Sequence, residues 1–159
     1  MTPRSSDDAG AVPLPATRFG ARLGGVGVAL PVGTALEFVA DAAIYPLPLA
    51  PARIAGLMQL RGQPLVVLDP STEPAAATSM RRRDVLVVGK PPQAAALLVD
   101  GPPQPLVDAS WQPIDERLPD CPFPSAIDVV GREPGQRGGP GEPWYGADPE
   151  RLFEALARS

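Results

Sequence analysis

Proline sets the first limit on this chain. There are 23 prolines and 16 glycines among 159 residues, and each proline fixes φ and removes a backbone donor. A chain so interrupted must turn often, which favours short strands over long helices. The limit is tightest in residues 37–69, EFVADAAIYPLPLAPARIAGLMQLRGQPLVVLD. Pro46, Pro48 and Pro51 push the residues before them towards extended conformations, so residues 44–51 cannot be helical. Beyond them, Ile54, Leu57, Met58 and Leu60 recur at helical spacing and Pro51 suits a first helical position, so a short helix is expected over residues 52–60. Arg61-Gly62 then ends it, because Gly62 takes φ > 0 without a Cβ clash and Arg61 complements the negative end of the helix dipole. Leu65-Val66-Val67-Leu68 is an all-apolar run, β-branched at its centre and closed by Asp69-Pro70. It reads as a buried strand entering a turn.

The rest of the chain is read the same way. Residues 1–17 are polar and then Ala/Pro-rich, and are expected to form a disordered tail. Residues 18–23 and 26–30 form a hairpin around Gly24-Gly25. The glycines there do not complete a G-x-G-x-x-G motif, since position 30 is Leu, so the turn reading is preferred to a nucleotide loop. Residues 31–40 read as either a short helix or an irregular strand. Further strands are expected at 84–89, 94–100 and 126–131, with an edge strand at 104–108, where proline is tolerated, and a loop over 111–124. Residues 132–143, rich in glycine and proline, read as a flexible, removable linker. Residues 148–158 read as a helix capped by Asp148, with Pro149 at its first position and Leu152, Phe153 and Leu156 on its apolar face.

Histidine is absent. That removes Ser-His-Asp and Cys-His catalysis, His-ligated metals and histidyl phosphotransfer on this chain. Cys121 has no histidine to serve as its base and reads as a structural thiol. Asp69, Asp100, Asp108, Asp115, Glu116 and Asp120 are scattered in loops and read as solvated; spacing alone identifies no acid pair among them. Neither a phosphate loop nor a metal-ligand cluster is present, so no catalytic residue, metal or cofactor is expected. The net charge of −4 offers nucleic acid no basic face. No apolar run is long enough to span a bilayer and the N-terminus lacks the apolar core of a signal peptide, which suits a soluble cytoplasmic protein without membrane insertion. Arg81-Arg82-Arg83 reads as a solvated strand entry, with a patch for an acidic partner as the alternative. Met58, Trp111 and Trp144 are either partner anchors or core. Arg61 is either a helix-dipole partner or salt bridge to Glu37, or a group reaching outward to a partner.

Glu37, Pro48, Pro51, Gly56, Leu60-Arg61-Gly62 and Val66-Val67-Leu68-Asp69 follow one another in an order and spacing that resemble the CheW-like domain, the adapter module of bacterial chemosensory arrays. The resemblance covers roughly residues 18–130 and places residues 18–158 in one such domain. It implies a mostly β fold of two SH3-like five-stranded barrels sharing an apolar seam, with short helices. The second barrel is expected to be incomplete. Pro102, Pro103 and Pro105 stand where the family has apolar residues, and the closing strand is reduced to Trp144-Tyr145-Gly146. The resemblance further implies a non-enzymatic adapter between a chemoreceptor's cytoplasmic tip and the regulatory domain of a CheA-like histidine kinase, at membrane-bound receptor arrays. Arg61 would contact the receptor tip and, with Glu37, fix its register. Leu36, Val39, Val66 and Val99 would line a groove between the lobes for an apolar helix hairpin. Residues facing the kinase are not assigned. Two alternatives stand beside this reading. One is a degenerate adapter serving assembly or regulation in a twitching-motility or other chemosensory system without binding receptor. The other is a small β-barrel enzyme using Asp or Glu, which needs a deep polar pocket with two converging carboxylates.

Overall fold

The computed structural model describes residues 17–133 and 142–159. All of the expected tail but Thr17, and the greater part of the expected linker, fall outside these residues. Strands β1 (Arg18–Leu23) and β2 (Val26–Leu30) form the expected hairpin, with Gly24 and Gly25 both at positive φ. They belong to a six-stranded sheet in the order β8-β1-β2-β11-β10-β9, completed by β8 (Gln104–Leu106), β9 (Ser110–Pro113), β10 (Ile127–Arg132) and β11 (Trp144–Ala147). Between β2 and β8 the chain builds a second sheet of five strands, in the order β3-β6-β7-β5-β4. These are β3 (Leu36–Ile44), β4 (Ile54–Leu60), β5 (Gln63–Leu68), β6 (Arg81–Val88) and β7 (Ala95–Leu98). Each sheet contains one parallel pair, β11 with β2 and β5 with β7.

The two sheets thus have six and five strands, where the family likeness implied five and five. The closing strand β11 is short, yet it is bonded to β10 on one side and β2 on the other. The proline-broken stretch is accommodated because β8 lies at a sheet edge, where missing N–H groups leave no ladder bond unmade. Part of the expected loop over 111–124 is strand: Trp111, Gln112 and Pro113 pair with β10. The ambiguous segment 31–40 resolves into the start of β3. This strand continues past a bulge between Val39 and Ala42, where Asp41 has φ of 53°.

The expected helix over 52–60 is strand β4, for a specific reason. A bulge between Ile54 and Gly56 leaves Ala55 as an extra residue opposite β5, with Gly56 at φ of 146°. The bulge shifts the inside–outside alternation by one. Ala55 and Met58, three apart, therefore both face the core, whereas Ile54 and Leu57, which the helical spacing put on one face with Met58, are only partly buried and belong to neither main cluster. Arg61 and Gly62, at φ of 48° and 81°, make a two-residue hairpin turn, and Leu60 pairs directly with Gln63. Two positive φ values are what a type I′ turn requires. Gly62 holds the expected left-handed conformation, as a hairpin residue and not a helix end.

Two main clusters hold the sheets. Between them, Leu23, Val28 and Leu30 meet Leu86, Val88, Leu97 and Val99, joined by Phe123 and by Leu152 and Leu156 of helix α1 (Pro149–Arg158). Inside the curl of the five-stranded sheet, Ile44, Met58, Leu65, Val67, Val85 and Leu98 pack together. On the far side of the six-stranded sheet, Trp144 packs with Ala29 and Leu106, and Arg22 stacks 4.6 Å from its ring centroid. Met58 and Trp144, at 2% and 4% exposure, are core residues. Partly buried Trp111 packs on the Trp144 cluster, beneath the guanidinium of Arg18 at 4.8 Å.

Helix α1 forms as expected. The Asp148 carboxylate accepts a hydrogen bond from the Arg151 N–H at 3.0 Å and Pro149 occupies the first turn. Asp148→Ala should lower stability by about 1 kcal/mol and the melting temperature by roughly 2–4 °C. Thermal unfolding of the full chain checks this; an unchanged midpoint would mean that packing alone sets the helix start.

Candidate protein-interaction surface

The five-stranded sheet curls until its edge strands meet. Tyr45, just past β3, bridges Leu57 of β4: the Tyr45 N–H donates to the Leu57 carbonyl at 2.9 Å, and the Leu57 N–H returns a bond at 2.8 Å. Leu57 in turn pairs with Val66 of β5. Ile44, Met58, Leu65 and Val67 point into the core, so their neighbours Tyr45, Leu57 and Val66 point outward and form one apolar row across three strands. Tyr45 is 54% and Val66 43% exposed. Leu47 and Leu49 extend the apolar surface into the proline-framed loop, where Leu49 is held at φ of 60°.

An ion pair stands at the end of the sheet marked by the β4–β5 turn. Arg61 Nη1 donates to both carboxylate oxygens of Glu37, at 2.9 and 3.0 Å. The side chains are 68% and 39% exposed. This is the salt bridge that one reading of Arg61 anticipated. A pair so exposed contributes at most about 1 kcal/mol to stability, and the Arg61 head group still faces water.

The groove expected between the lobes is not formed by the four apolar residues named for it. Leu36 and Val99 pack into the cluster between the sheets, and Val99 is 3% exposed. Val39 faces the opposite side of β3 from Leu36 and packs inside the five-stranded curl. A strand alternates its side chains, so residues three apart cannot share a surface. Val66 alone of the four is prominently exposed. Tyr45 and Leu57, missed in the sequence, accompany it; recognising β4 as a strand would have exposed the Leu57–Val66 pairing.

Elsewhere, burial pushes the Cys121 thiol above its usual pKa, with a smaller upward push from Asp120 against a hydrogen bond from the Phe123 backbone. Clefts lie on the surface formed by the described residues. They are lined around Arg151 and Glu154, around Lys90 and Glu150, and around Arg22 and Glu142, with a single acidic side chain in each. Among the described residues no group of three His, Cys, Asp or Glu is placed to hold a metal, and no helix is long and apolar enough to cross a membrane.

Two curled sheets around a shared core place the chain in the class of two-barrel β modules. The CheW-like domain matches residues 19–131, more than half of the sequence, and the chain belongs to the CheW-like domain family. Among solved structures it is similar to the scaffolding protein TtCheW from Thermoanaerobacter tengcongensis. The TM-score is 0.63 at 18% identity, with 91% of each chain covered, a likeness of fold. No curated protein matches the sequence.

Proposed function

We propose that this protein is a non-enzymatic adapter that couples the cytoplasmic tip of a chemoreceptor to the regulatory domain of a CheA-like histidine kinase in a chemosensory array. Membership of the CheW-like family supports the adapter class. The observation that carries the receptor contact is the outward row Tyr45–Leu57–Val66 together with the Arg61–Glu37 pair on the same sheet. An apolar row with a charged fork is the complement of an amphipathic helix, whose apolar positions repeat every three to four residues. Arg61 would exchange or share Glu37 for a carboxylate on that helix, and Glu37 would fix its register. The protein would then sit at the membrane through its receptor, inserting nothing itself.

Titration of the full chain against a receptor-tip fragment, and separately against the kinase regulatory domain, tests this. Arg61→Ala should weaken the receptor-tip complex about 30-fold, the scale of an interface arginine. It should change unfolding free energy by less than about 1 kcal/mol, because the ion pair it removes is exposed. A lowered melting temperature with unchanged affinity would make Arg61 a stabilising residue only and remove it from the contact. Binding of the kinase domain without the receptor tip would favour the assembly-subunit reading.

A further inference from the structure

The other end of the five-stranded sheet, away from Arg61, collects arginines whose charge the described residues do not balance. Arg81 and Arg83 lie opposite Ile44 and Ala42 in the β3–β6 ladder, and both of those partners face the core. Their side chains are therefore directed to the inner face of the curl. Arg82, opposite Ala43, is directed outward and pairs with Asp41 at 3.8 Å. Arg53, immediately before β4, is 8% exposed. Its Nη1 donates to the carbonyls of Asp69 at 2.8 Å and Ser71 at 2.6 Å, which pins the start of the β5–β6 connection across this end. Arg53 immediately precedes β4 and Arg81 opens β6, with Arg83 two residues along on the same face as Arg81.

Among the described residues three nitrogens of these arginines are buried without an acceptor: Arg53 Nε, and Nε and Nη2 of Arg81. The last two form one edge of a guanidinium, the edge that takes a carboxylate or phosphate with two parallel hydrogen bonds. None of the ion pairs among the described residues includes Arg53, Arg81 or Arg83. Asp69, the buried acid at this end, accepts from the Ser71 N–H at 2.9 Å and pairs with none of the three. Buried donors left without acceptors are costly, and charged ones more so.

We propose that this end of the five-stranded sheet is a binding site for a compact oxyanion, a phosphate or a carboxylate, held by the Nε–Nη2 edge of Arg81 with Arg83, on the same face of β6, supplying further charge. Arg81 as a residue is only partly buried, although its Nε and Nη2 are covered. The site is distinct from the Arg61 surface and does not rest on the adapter reading.

The test uses the full chain in low-salt, phosphate-free buffer, titrated calorimetrically with inorganic phosphate and separately with a hexaglutamate peptide. Binding of either probe is expected, weakened at least about tenfold by the double change Arg81→Gln, Arg83→Gln and unaffected by Arg82→Gln. A phosphate response assigns a free anion; a response to the peptide alone assigns a partner's carboxylate. Binding of neither probe overturns the proposal, as does binding that survives the double change. Should the double variant fail to fold, a crystal structure of the unaltered protein grown in phosphate decides. An oxyanion on Arg81 Nε and Nη2 supports the site, and ordered water alone at those nitrogens overturns it.

Discussion

Gly56→Ala should destabilise the protein by on the order of 4 kcal/mol, lowering the melting temperature by about 10 °C. Gly56 sits at φ of 146°, a region closed to side-chain-bearing residues, and a Cβ there would overlap the carbonyl group of Tyr45. That carbonyl accepts the Leu57 N–H in the bridge joining β3 to β4. The methyl group therefore both strains the bulge and pushes apart the strands that bring the curled sheet's edges together. Gly62 supplies the control: its φ of 81° is also left-handed, but nothing lies within 4 Å of a Cβ built there. Gly62→Ala should lose only the strain, about 1 kcal/mol. Equilibrium urea unfolding of both variants separates the two effects, and equal losses would show that the approach of Tyr45 is unimportant.

Trp144→Ala should lower stability by about 3–5 kcal/mol, the range for removing a large buried ring. The ring is fitted closely: Cβ atoms built on Gly20 and Gly27 would lie 2.6 and 2.9 Å from it, so those glycines exist to admit it. Its cluster is small, with Ala29 and Leu106 as the other buried members, and little can collapse into the void. Arg22 would lose the ring it stacks on and keep its exposed ion pair with Glu142 at 2.5 Å. Trp144→Phe fills part of the space and should lose roughly half as much. Chemical unfolding followed by circular dichroism gives both values; a loss below about 1 kcal/mol for the alanine variant would mean that the six-stranded sheet does not depend on this cluster.

What the sequence disclosed followed the range of the interactions involved. The β1–β2 hairpin and helix α1 were legible because Gly24-Gly25, Asp148 and Pro149 act within a few residues of themselves. Strand β4 was not, because its apolar residues lie on both faces, Met58 inward and Leu57 outward, and the combined spacing of Ile54, Leu57, Met58 and Leu60 matches a helix. The segment between Glu37 and Asp69 could be recognised as a family pattern even while its local structure was misread. A pattern of residues survives an error about the backbone that carries it. At the candidate surface, Arg61 and Glu37 were found and are joined in the fold. The apolar groove was assembled from residues that are apolar, and apolarity does not distinguish an interface from a core. Leu36 and Val99 answered to the second description. Tyr45 could not be placed because its position depends on a bridge to Leu57, and no local signal announces that bridge.

The pairing of Val28 with Tyr145 also orders events in time. A ribosome makes β1 and β2 first, then all five strands of the inserted sheet, and only afterwards β11, which lies between β2 and β10. At ribosomal synthesis rates the wait is on the order of ten seconds. Through that interval the inserted sheet can close on itself from contiguous sequence, while β2 keeps an open hydrogen-bonding edge beside Val28 and Leu30. An open apolar edge is a template for the wrong partner. The β2 edge is therefore a place where a nascent chain, or one shortened ahead of Trp144, is exposed to aggregation.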